Sequence, residues 1–239
     1  MTRPLFFVPT DALTADRVVI DGDEGRHAAD VRRLRVGEPV DVGDGGGKLV
    51  RGQVAESSRG RLVVEVQDRR DVPPADPAFV VVQALAKGGR DEDAVEAMTE
   101  IGVDEVLGWQ AARSVARWSD RTAHRWTATA RAAAKQARRA WVPATAGPLT
   151  TTDVAGMLAV AALAVVLHED ATQSLAAVPV PTSGRVVIVV GPEGGVTDDE
   201  VAEFAAAGAR VCRLGEQVLR TSTAGVAALS VLSAATRWR

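Results

Sequence analysis

Two glycine-bearing loops in the last third of the chain hold the residues that could do chemistry. The first, Gly191-Pro-Glu-Gly-Gly195, follows the unbroken β-branched run Val186–Val190, a pattern typical of a strand buried on both faces of a parallel sheet. Its glycines permit positive φ angles and let a ligand approach the backbone closely. The second loop follows a short strand predicted at Val211–Leu214 and holds one cation, Arg220. We expect both loops to contribute to one binding site.

The pattern of the first loop excludes the common phosphate-binding motifs. No Gly-Lys-Ser/Thr follows its glycines, and Pro192 and Glu193 interrupt a GxGxxG pattern. A carboxylate at Glu193 repels phosphate and suits a cationic or donor-rich ligand. Thr197 and Glu200 predict a capping box at the start of a helix that ends at Gly208. Strand, loop, helix, strand and loop in this order build a ligand crevice at the carboxyl ends of the strands of an open α/β sheet.

The two loops resemble the signature loops of the SPOUT methyltransferases and, among these, of the RsmE family. The family pattern Leu-Gly-x-Arg-Ile/Val-Leu-Arg-x-Glu-Thr-Ala is matched at Leu214, Gly215, Val218, Leu219, Arg220, Thr223 and Ala224. The chain departs from the pattern at Gln217, where the family usually has Arg, and at Ser222, where it usually has Glu. The resemblance implies methylation of a uridine at N3 in small-subunit (16S) ribosomal RNA, with S-adenosylmethionine as the methyl donor.

The resemblance also implies which residues bind the donor. A third loop of the crevice is expected after the strand Leu163–Leu167. The expected cofactor-binding residues are Leu167, His168, Glu169, Gly191, Pro192, Glu193, Gly194, Gly195, Leu214, Gly215, Val218, Leu219, Ser222, Thr223 and Ala224. No metal is expected, because three scattered histidines and one cysteine form no cluster with metal-ligand spacing.

Two residues are candidates for the chemical step. Uracil N3 must lose its proton around the time of transfer, and Arg220 is the candidate for stabilising the negative charge that develops on the base. Glu193 is the candidate proton acceptor, directly or through water. Its alternative role is to hold its own loop by accepting backbone N–H hydrogen bonds.

Residues 1–72 predict an all-β domain, because short β-branched segments alternate with glycine-rich turns. The segments are Arg17–Ile20, Pro39–Val42, Leu49–Val54 and Arg61–Gln67, with a hairpin turn at Gly43–Gly47. Residues 24–35 instead predict a helix with Ala28, Val31 and Leu34 on its apolar face. This stretch resembles the His-x-x-x-Val-Leu-Arg motif of the family's PUA-like RNA-binding domain, with a one-residue shift at Arg35.

Prolines at residues 73–78 predict a linker, and 79–239 is expected to be the methyltransferase domain. The predicted elements there are a strand at Phe79–Leu85, a helix at about 91–101, a strand at Val103–Trp109, a helix from about Ser119 and an apolar helix at about 223–238. The last helix is expected to be buried or to pack on a second subunit. The expected fold class is α/β, a PUA-like β-barrel plus a SPOUT domain whose trefoil knot is implied by the resemblance alone.

Basic residues are concentrated in two stretches, 24–35 and 110–141, although the net charge of the chain is −3. A local basic patch in a net-acidic protein indicates contact with a phosphate backbone, and the alternative is a solvated face. Together with the family's matched motifs, these stretches give the candidate RNA-binding residues Arg26, His27, Arg32, Arg33, Arg35, Lys87, Arg90, Arg113, Lys135, Arg138 and Arg139.

The composition is typical of a globular protein, with 46% hydrophobic and 25% charged residues among 239. The sequence shows neither a signal-peptide pattern nor an apolar run of membrane length, so a cytoplasmic protein without a membrane partner is expected. Cys212 is the only cysteine, which excludes a disulfide framework, and it is expected to be buried. The resemblance implies a homodimer formed through the C-terminal domain, acting on ribosomal RNA or the assembled 30S subunit.

Two alternative functions remain open at this point. The first is a SPOUT ribose 2′-O RNA methyltransferase, which would share the crevice. The second is a non-catalytic RNA-binding or ribosome-assembly protein that kept the fold, an alternative that the departures at Gln217 and Ser222 keep open.

Overall fold

The computed structural model describes residues 3–238, which divide into two compact units. The first runs to Pro74 and includes Ala134–Val142, and the second holds Ala75–Ala133 and the chain from Pro143 onward. The segment Ala134–Val142 belongs to the first unit because its backbone is hydrogen-bonded there, with Gly47 N–H donating to the carbonyl of Ala140 (3.1 Å). The sequence predicted one boundary, the linker at 73–78, and did not predict that this later segment belongs to the first unit.

The first unit contains a five-stranded sheet in the order β1-β3-β4-β5-β2. Its strands are β1 (Leu5–Phe7), β2 (Arg17–Ile20), β3 (Pro39–Gly43), β4 (Lys48–Ser58) and β5 (Arg61–Asp71). Side chains of both edge strands, such as Phe6 and Ile20, share one buried core, so the sheet curls around it. Within residues 3–238 no ladder joins β1 to β2. The predicted hairpin between β3 and β4 is confirmed, because these strands pair in antiparallel fashion.

The predicted helix at 24–35 is wrong in its extent. Helix α1 covers Gly22–Arg26 and is followed by one π-helical turn at His27–Val31. A π-helical turn contains about one residue more than an α-helical turn, so residues three positions apart no longer lie on the same face. Ala28 is therefore buried as predicted, whereas Val31 is 67% exposed.

The second unit contains a seven-stranded parallel sheet in the order β10-β12-β9-β11-β6-β7-β8. Its strands are β6 (Ala78–Ala84), β7 (Glu105–Trp109), β8 (Ala144–Leu149), β9 (Leu163–Leu167), β10 (Gln173–Ser174), β11 (Arg185–Val190) and β12 (Arg210–Arg213). Its helices are α2 (Arg90–Ile101), α3 (Asp120–Gln136), α4 (Thr151–Ala159), α5 (Asp198–Ala206) and α6 (Thr221–Ala235), and the last three residues of α3 belong to the first unit. Strands β1, β8 and β10 and helix α4 were not predicted. Short 3-10 turns lie at Thr10–Thr14 and Leu175–Ala177.

Helices cover both faces of this sheet, which explains the unbroken apolar run of β11 and the run of β6, in which Gln83 is the one polar residue. Helices α4 and α5 pack on one face, and α2 and α6 pack together on the other. The second pair approaches closely at Gly225, where an added Cβ would lie 2.6 Å from Met98 Sδ. Because all strand pairs are parallel, the carboxyl ends of the strands meet at one edge of the sheet.

Several local signals at helix ends are confirmed. Thr197 Oγ1 accepts the N–H of Glu200, whose carboxylate accepts the N–H of Thr197 in return, forming the predicted capping box. Gly102 ends α2 with a φ of 105°. Helix α6 begins two residues earlier than predicted, at Thr221, which makes Arg220 its N-cap residue. None of the helices within residues 3–238 combines the length and hydrophobicity of a membrane span.

Candidate active site

Loops at the carboxyl edge of the parallel sheet enclose a cleft of about 560 Å³, a size typical of small-molecule sites. The predicted cofactor-binding residues that line it are Leu167, His168, Glu169, Gly191, Pro192, Glu193, Gly194, Gly195, Leu214, Gly215, Val218, Leu219 and Ala224. Arg220 lines the same cleft, as do Arg90 and Arg113, both predicted to bind RNA. Ser222 and Thr223 lie outside the lining, in the first turn of α6.

Glu193 is held at the cleft by the loop that follows β6. One carboxylate oxygen, Oε1, accepts the backbone N–H of Lys87 and a hydrogen bond from Arg90 Nη1, both at 3.1 Å. Burial raises the pKa of this carboxyl, but hydrogen bonds from its own backbone N–H, from Lys87 and from Arg90 outweigh burial and bring the pKa below its ordinary value of 4.5. A carboxylate already bound to these donors is a weak proton acceptor. The geometry favours the loop-holding role of Glu193.

The other side of the Gly191–Gly195 loop is held by Arg113. Its Nη1 donates to the carbonyl of Gly194 at 2.9 Å. A Cβ at Gly194 would lie 3.2 Å from the Cβ of Arg113, so glycine permits this close approach. Gly195 has a φ of 74°, a left-handed conformation that favours glycine. The sequence assigned Arg113 to RNA, whereas the structure places it in the wall of the cleft.

Glu200 positions the segment that carries Arg113, a role that sequence reasoning missed. Its side chain is 5% exposed, and besides closing the capping box its Oε1 accepts the N–H of Ala112 at 2.8 Å. The capping box was a visible signal in the sequence, but its second partner lies far along the chain. Glu200 therefore joins the start of α5 to the segment after β7.

The second loop offers apolar side chains and unpaired backbone donors. Val218 is 72% exposed and Leu219 is 39% exposed. The backbone N–H groups of Gln217, Val218 and Leu219 donate no hydrogen bond to any residue between 3 and 238. A flat ring with a hydrogen-bonding edge matches this combination, because the side chains can cover its face while the backbone binds its edge.

Arg220 differs from Arg90 and Arg113, and resembles Arg213 of the same cleft, in having a guanidinium without an internal partner among residues 3–238. Its carbonyl accepts the N–H groups of Thr223 (2.9 Å) and Ala224 (3.0 Å), which fixes its backbone at the start of α6. Its guanidinium forms neither a hydrogen bond nor an ion pair with the residues that the structure describes, unlike those of Arg90 and Arg113. The Arg220 side chain is thus available to a ligand.

Behind the cleft lies a buried polar chain that the sequence analysis did not identify. Gln83 is completely buried in β6, and its Nε2 donates to Thr221 Oγ1 at 2.8 Å. Thr221 Oγ1 donates in turn to the carbonyl of Gly191 at 2.8 Å. The signal in the sequence was one amide inside the apolar run 79–86.

Comparison with known proteins identifies the family of the chain. Residues 74–233 match a family model described as an RNA methyltransferase domain, and residues 20–67 match one described as an RNA methyltransferase PUA domain. A protein from Mycobacterium bovis named ribosomal RNA small subunit methyltransferase E is 46% identical, with 100% of this chain and 94% of the relative covered. This chain belongs to the ribosomal RNA small subunit methyltransferase E family.

Solved structures resemble this methyltransferase E family member over nearly its whole length. A methyltransferase from Legionella pneumophila in complex with the cofactor SAM has a TM-score of 0.87 at 24% identity, covering 99% of both chains. A ribosomal RNA small subunit methyltransferase E from Neisseria gonorrhoeae bound to S-adenosyl methionine has a TM-score of 0.85 at 24% identity, covering 98% of both chains. These likenesses establish the α/β fold, and the two family models assign the PUA domain and the methyltransferase domain.

Most of the remaining candidate RNA-binding residues of this family member fall into two groups, with exposed Lys87 and half-buried Arg139 outside them. Arg26 forms an ion pair with Asp23, and Lys135 binds Glu24 at 2.7 Å, so part of their charge is already balanced. Exposed residues in the first unit form the second group: His27, Arg32, Arg33, Arg35 and Arg138.

Among residues 3–238 no cluster of three or more histidine, cysteine or acidic side chains could hold a metal ion.

The ion pair at Glu193 generates a pH prediction. The pKa of Glu193 is lower in the folded protein than in the unfolded chain. The stabilisation of the fold by the ionised carboxylate is therefore fully present above about pH 4.5, and it is lost as the pH falls through the folded-state pKa. Arg90→Met removes one charge-assisted donor and should raise the pKa of Glu193 towards its ordinary value. Titration of the Glu193 carboxyl carbon by ¹³C NMR measures this pKa directly.

Arg125→Met is the matched control, because it breaks another ion pair with the same helix, Arg125 to Glu92 at 2.5 Å. It should leave the Glu193 titration unchanged. If Arg90→Met also leaves it unchanged, the Arg90–Glu193 pair does not form in solution.

Proposed function

We propose that this chain transfers the methyl group of S-adenosylmethionine to N3 of a uridine in small-subunit (16S) ribosomal RNA. The observation that carries this proposal is the cleft that Arg220, whose side chain has no partner among residues 3–238, lines together with the Gly191–Gly195 loop held by Arg90 and Arg113. The name of the Mycobacterium bovis relative and the cofactor bound to the Neisseria gonorrhoeae protein support it.

The cleft suits S-adenosylmethionine in shape and in charge. The unpaired N–H groups of residues 217–219 fit an adenine edge, and Val218 and Leu219 offer apolar contact with its face. Acidic side chains at Glu169 and Glu216 also line the cleft, which suits a cationic ligand. When bound, the sulfonium supplies an activated methyl group, so the residues of the chain need only bind and orient the reactants.

Arg220 is the residue that we assign to the developing charge on the base. Its backbone is fixed by the first turn of α6 while its guanidinium carries no internal ion pair. A preorganised cation stabilises charge that appears during the reaction without reorganising at that moment. Glu193 is assigned to holding the loop, because Lys87 and Arg90 already occupy it. The proton acceptor is then not Glu193.

The RNA surface that we propose lies on the first unit around the π-helical turn. Arg32, Arg33 and Arg35 are exposed, and their side chains form no ion pair with any of the described residues. Unpaired cations of this kind can neutralise phosphates and release counterions. The RNA partner is the ribosomal RNA of the small subunit, alone or in the assembled 30S particle.

We also propose that the second unit carries a trefoil knot and forms a homodimer. Strand β12 lies beyond β9, yet α6, which follows it, packs on α2, β6 and β11 and contacts the turn Leu175–Ala177 between β9 and β11. These contacts are explained if α6 passes through the loop that the chain forms between β9 and β11, which makes the chain knotted. True knots are rare in proteins. Half-buried Val226 and Val231 on α6 and the 55% exposed Trp238 offer apolar surface to a second subunit.

A methylation assay on small-subunit RNA and on 30S subunits, followed by nucleoside mass spectrometry, tests the reaction. The expected product is N3-methyluridine at one position. A methylated ribose, which resists alkaline cleavage, would instead identify the 2′-O enzyme. Binding of RNA without binding of S-adenosylmethionine in a calorimetric titration would identify a non-catalytic RNA-binding protein.

Arg220→Ala should lower the single-turnover methylation rate by roughly a hundredfold or more, the effect of removing one preorganised donor at a developing charge. The affinities for S-adenosylmethionine and RNA should change much less, because this interaction is made mainly in the transition state. Arg220→Lys should recover part of the rate, since lysine keeps the charge but not the planar fork. Equal losses of cofactor affinity, thermal stability and rate would show that Arg220 only braces the loop.

Replacing Arg32, Arg33 and Arg35 with serine should weaken RNA binding and flatten its salt dependence. Each phosphate that the protein no longer neutralises lowers the slope of log affinity against log salt by about 0.7 to 0.9. Arg17→Ser with Arg61→Ser is the matched control, because both of these arginines pair with Glu56 in the same unit. An unchanged slope in the triple variant would make its arginines a solvated face.

A further inference from the structure

The buried series of hydrogen bonds from Gln83 through Thr221 to Gly191 can be donated in only one direction. Nε2 of Gln83 donates to the carbonyl of Ala84 (3.2 Å) as well as to Thr221 Oγ1. A carbonyl can only accept, so the NH₂ group of the amide must face Ala84. The Thr221 hydroxyl then accepts from Gln83 and directs its own proton to Gly191.

Packing alone does not explain an amide at this position. Gln83 is 0% exposed, and its Oε1 has no hydrogen-bond partner within the described part of the chain. A buried acceptor without a partner lowers stability relative to an apolar side chain of the same shape. This cost in free energy indicates that the donor side of the amide serves another purpose.

The chain of hydrogen bonds connects the two loops of the cleft from behind. Gly191 opens the Gly191–Gly195 loop, and Thr221 is the first residue of α6, directly after Arg220. Gln83 lies opposite Val190 in the ladder between β6 and β11. The amide is therefore anchored in the sheet while the hydroxyl holds the start of the helix against the start of the loop.

We propose that Gln83 and Thr221 are positioning residues that hold Arg220 in register with the Gly191–Gly195 loop. Gln83 is completely buried, and the hydroxyl of Thr221, a residue of the cleft wall, is engaged with Gln83 and Gly191, so we expect both residues to act through Arg220 and Gly191. The effect on turnover rests on the function proposed above. The coupling between the two loops is a property of the protein alone.

Hydrogen exchange measured by mass spectrometry tests the coupling without substrate. Thr221→Val keeps the shape of the side chain and removes the hydroxyl. It should accelerate amide exchange about tenfold in segments 191–197 and 220–226, the effect of losing one buried hydrogen bond locally, and leave the rest of the sheet unchanged. Thr221→Ser should restore most of the protection, and Gln83→Met should reproduce the valine result even if Thr221→Val folds poorly.

Thr236→Val is the matched control on the same helix, since Thr236 Oγ1 donates to the carbonyl of Leu232 at 2.8 Å, away from both loops. It should leave exchange in the two loop segments unchanged. Equal acceleration by Thr236→Val and Thr221→Val, or acceleration by Thr221→Val across the whole unit, would overturn the proposal, because the hydroxyl would then contribute only general stability.

A double-mutant cycle tests whether the coupling acts through Arg220. Thr221→Val should slow single-turnover methylation about tenfold in the parent and hardly at all in Arg220→Ala, because residues that act as a unit are not additive. The dissociation constant of S-adenosylmethionine should move less than the rate. Additive losses would overturn the proposal. A parent protein that methylates nothing would refute the proposed function, while the exchange experiment would still decide whether the loops are coupled.

Discussion

The rest of the structure depends on the burial of the central strands of the parallel sheet on both faces. Strand β11 pairs in register with β6 on one side and with β9 on the other, and helices cover it above and below. With both faces covered, ligand access is left to the edge where the parallel strands end. The loops that line the cleft after β9, β11 and β12 each start from a strand end, so the packing of the sheet determines where they begin.

Several charged residues in and behind the cleft have internal contacts, and others, such as Arg220 and Arg213, have none among the described residues. Glu193, Arg90, Arg113 and Glu200 are engaged with backbone groups or with one another, and they hold the walls of the cleft. Arg220 makes no such contact among residues 3–238, although its backbone is equally well fixed. A cation held in place but electrostatically unsatisfied is suited to charge that appears during a reaction. The same residue type thus supports the walls of the cleft at Arg90 and Arg113, whereas at Arg220 it is left available to a ligand.

The departures from the family pattern fall at two positions that do not hold the site together through hydrogen bonds of their side chains to the residues that the structure describes. Gln217 lines the cleft and Ser222 lies in the first turn of α6, and neither side chain forms a hydrogen bond with a described residue. Of the two, only Gln217 lies where a ligand in the cleft would meet it. The contacts that hold the site come from Gln83, Thr221 and Glu200.

Local signals in the sequence determined much of the fold. The β-branched runs of β6 and β11, the capping box at Thr197 and the glycine after α2 each act within a few residues, so they are legible without the rest of the chain. The two cleft loops and their resemblance to a family likewise came from contiguous stretches. Strand β8 and helix α4 were missed, because β8 alternates between half-exposed and exposed residues and has no apolar run.

Tertiary structure alone decided which partners the site residues meet. Glu193 meets the backbone of Lys87, Glu200 meets Ala112, and Gln83 meets Thr221 across 138 positions of the chain. A sequence pattern cannot specify such pairs, because each depends on how strands distant in the chain are ordered in the sheet. The π-helical turn at His27–Val31 was likewise not evident from the sequence. It packs against β5 of the same unit, and its extra residue breaks the helical spacing of the apolar residues. The sequence determined the residues that could do chemistry, and the order of the strands decided which of them support the cleft and which remain available to a ligand.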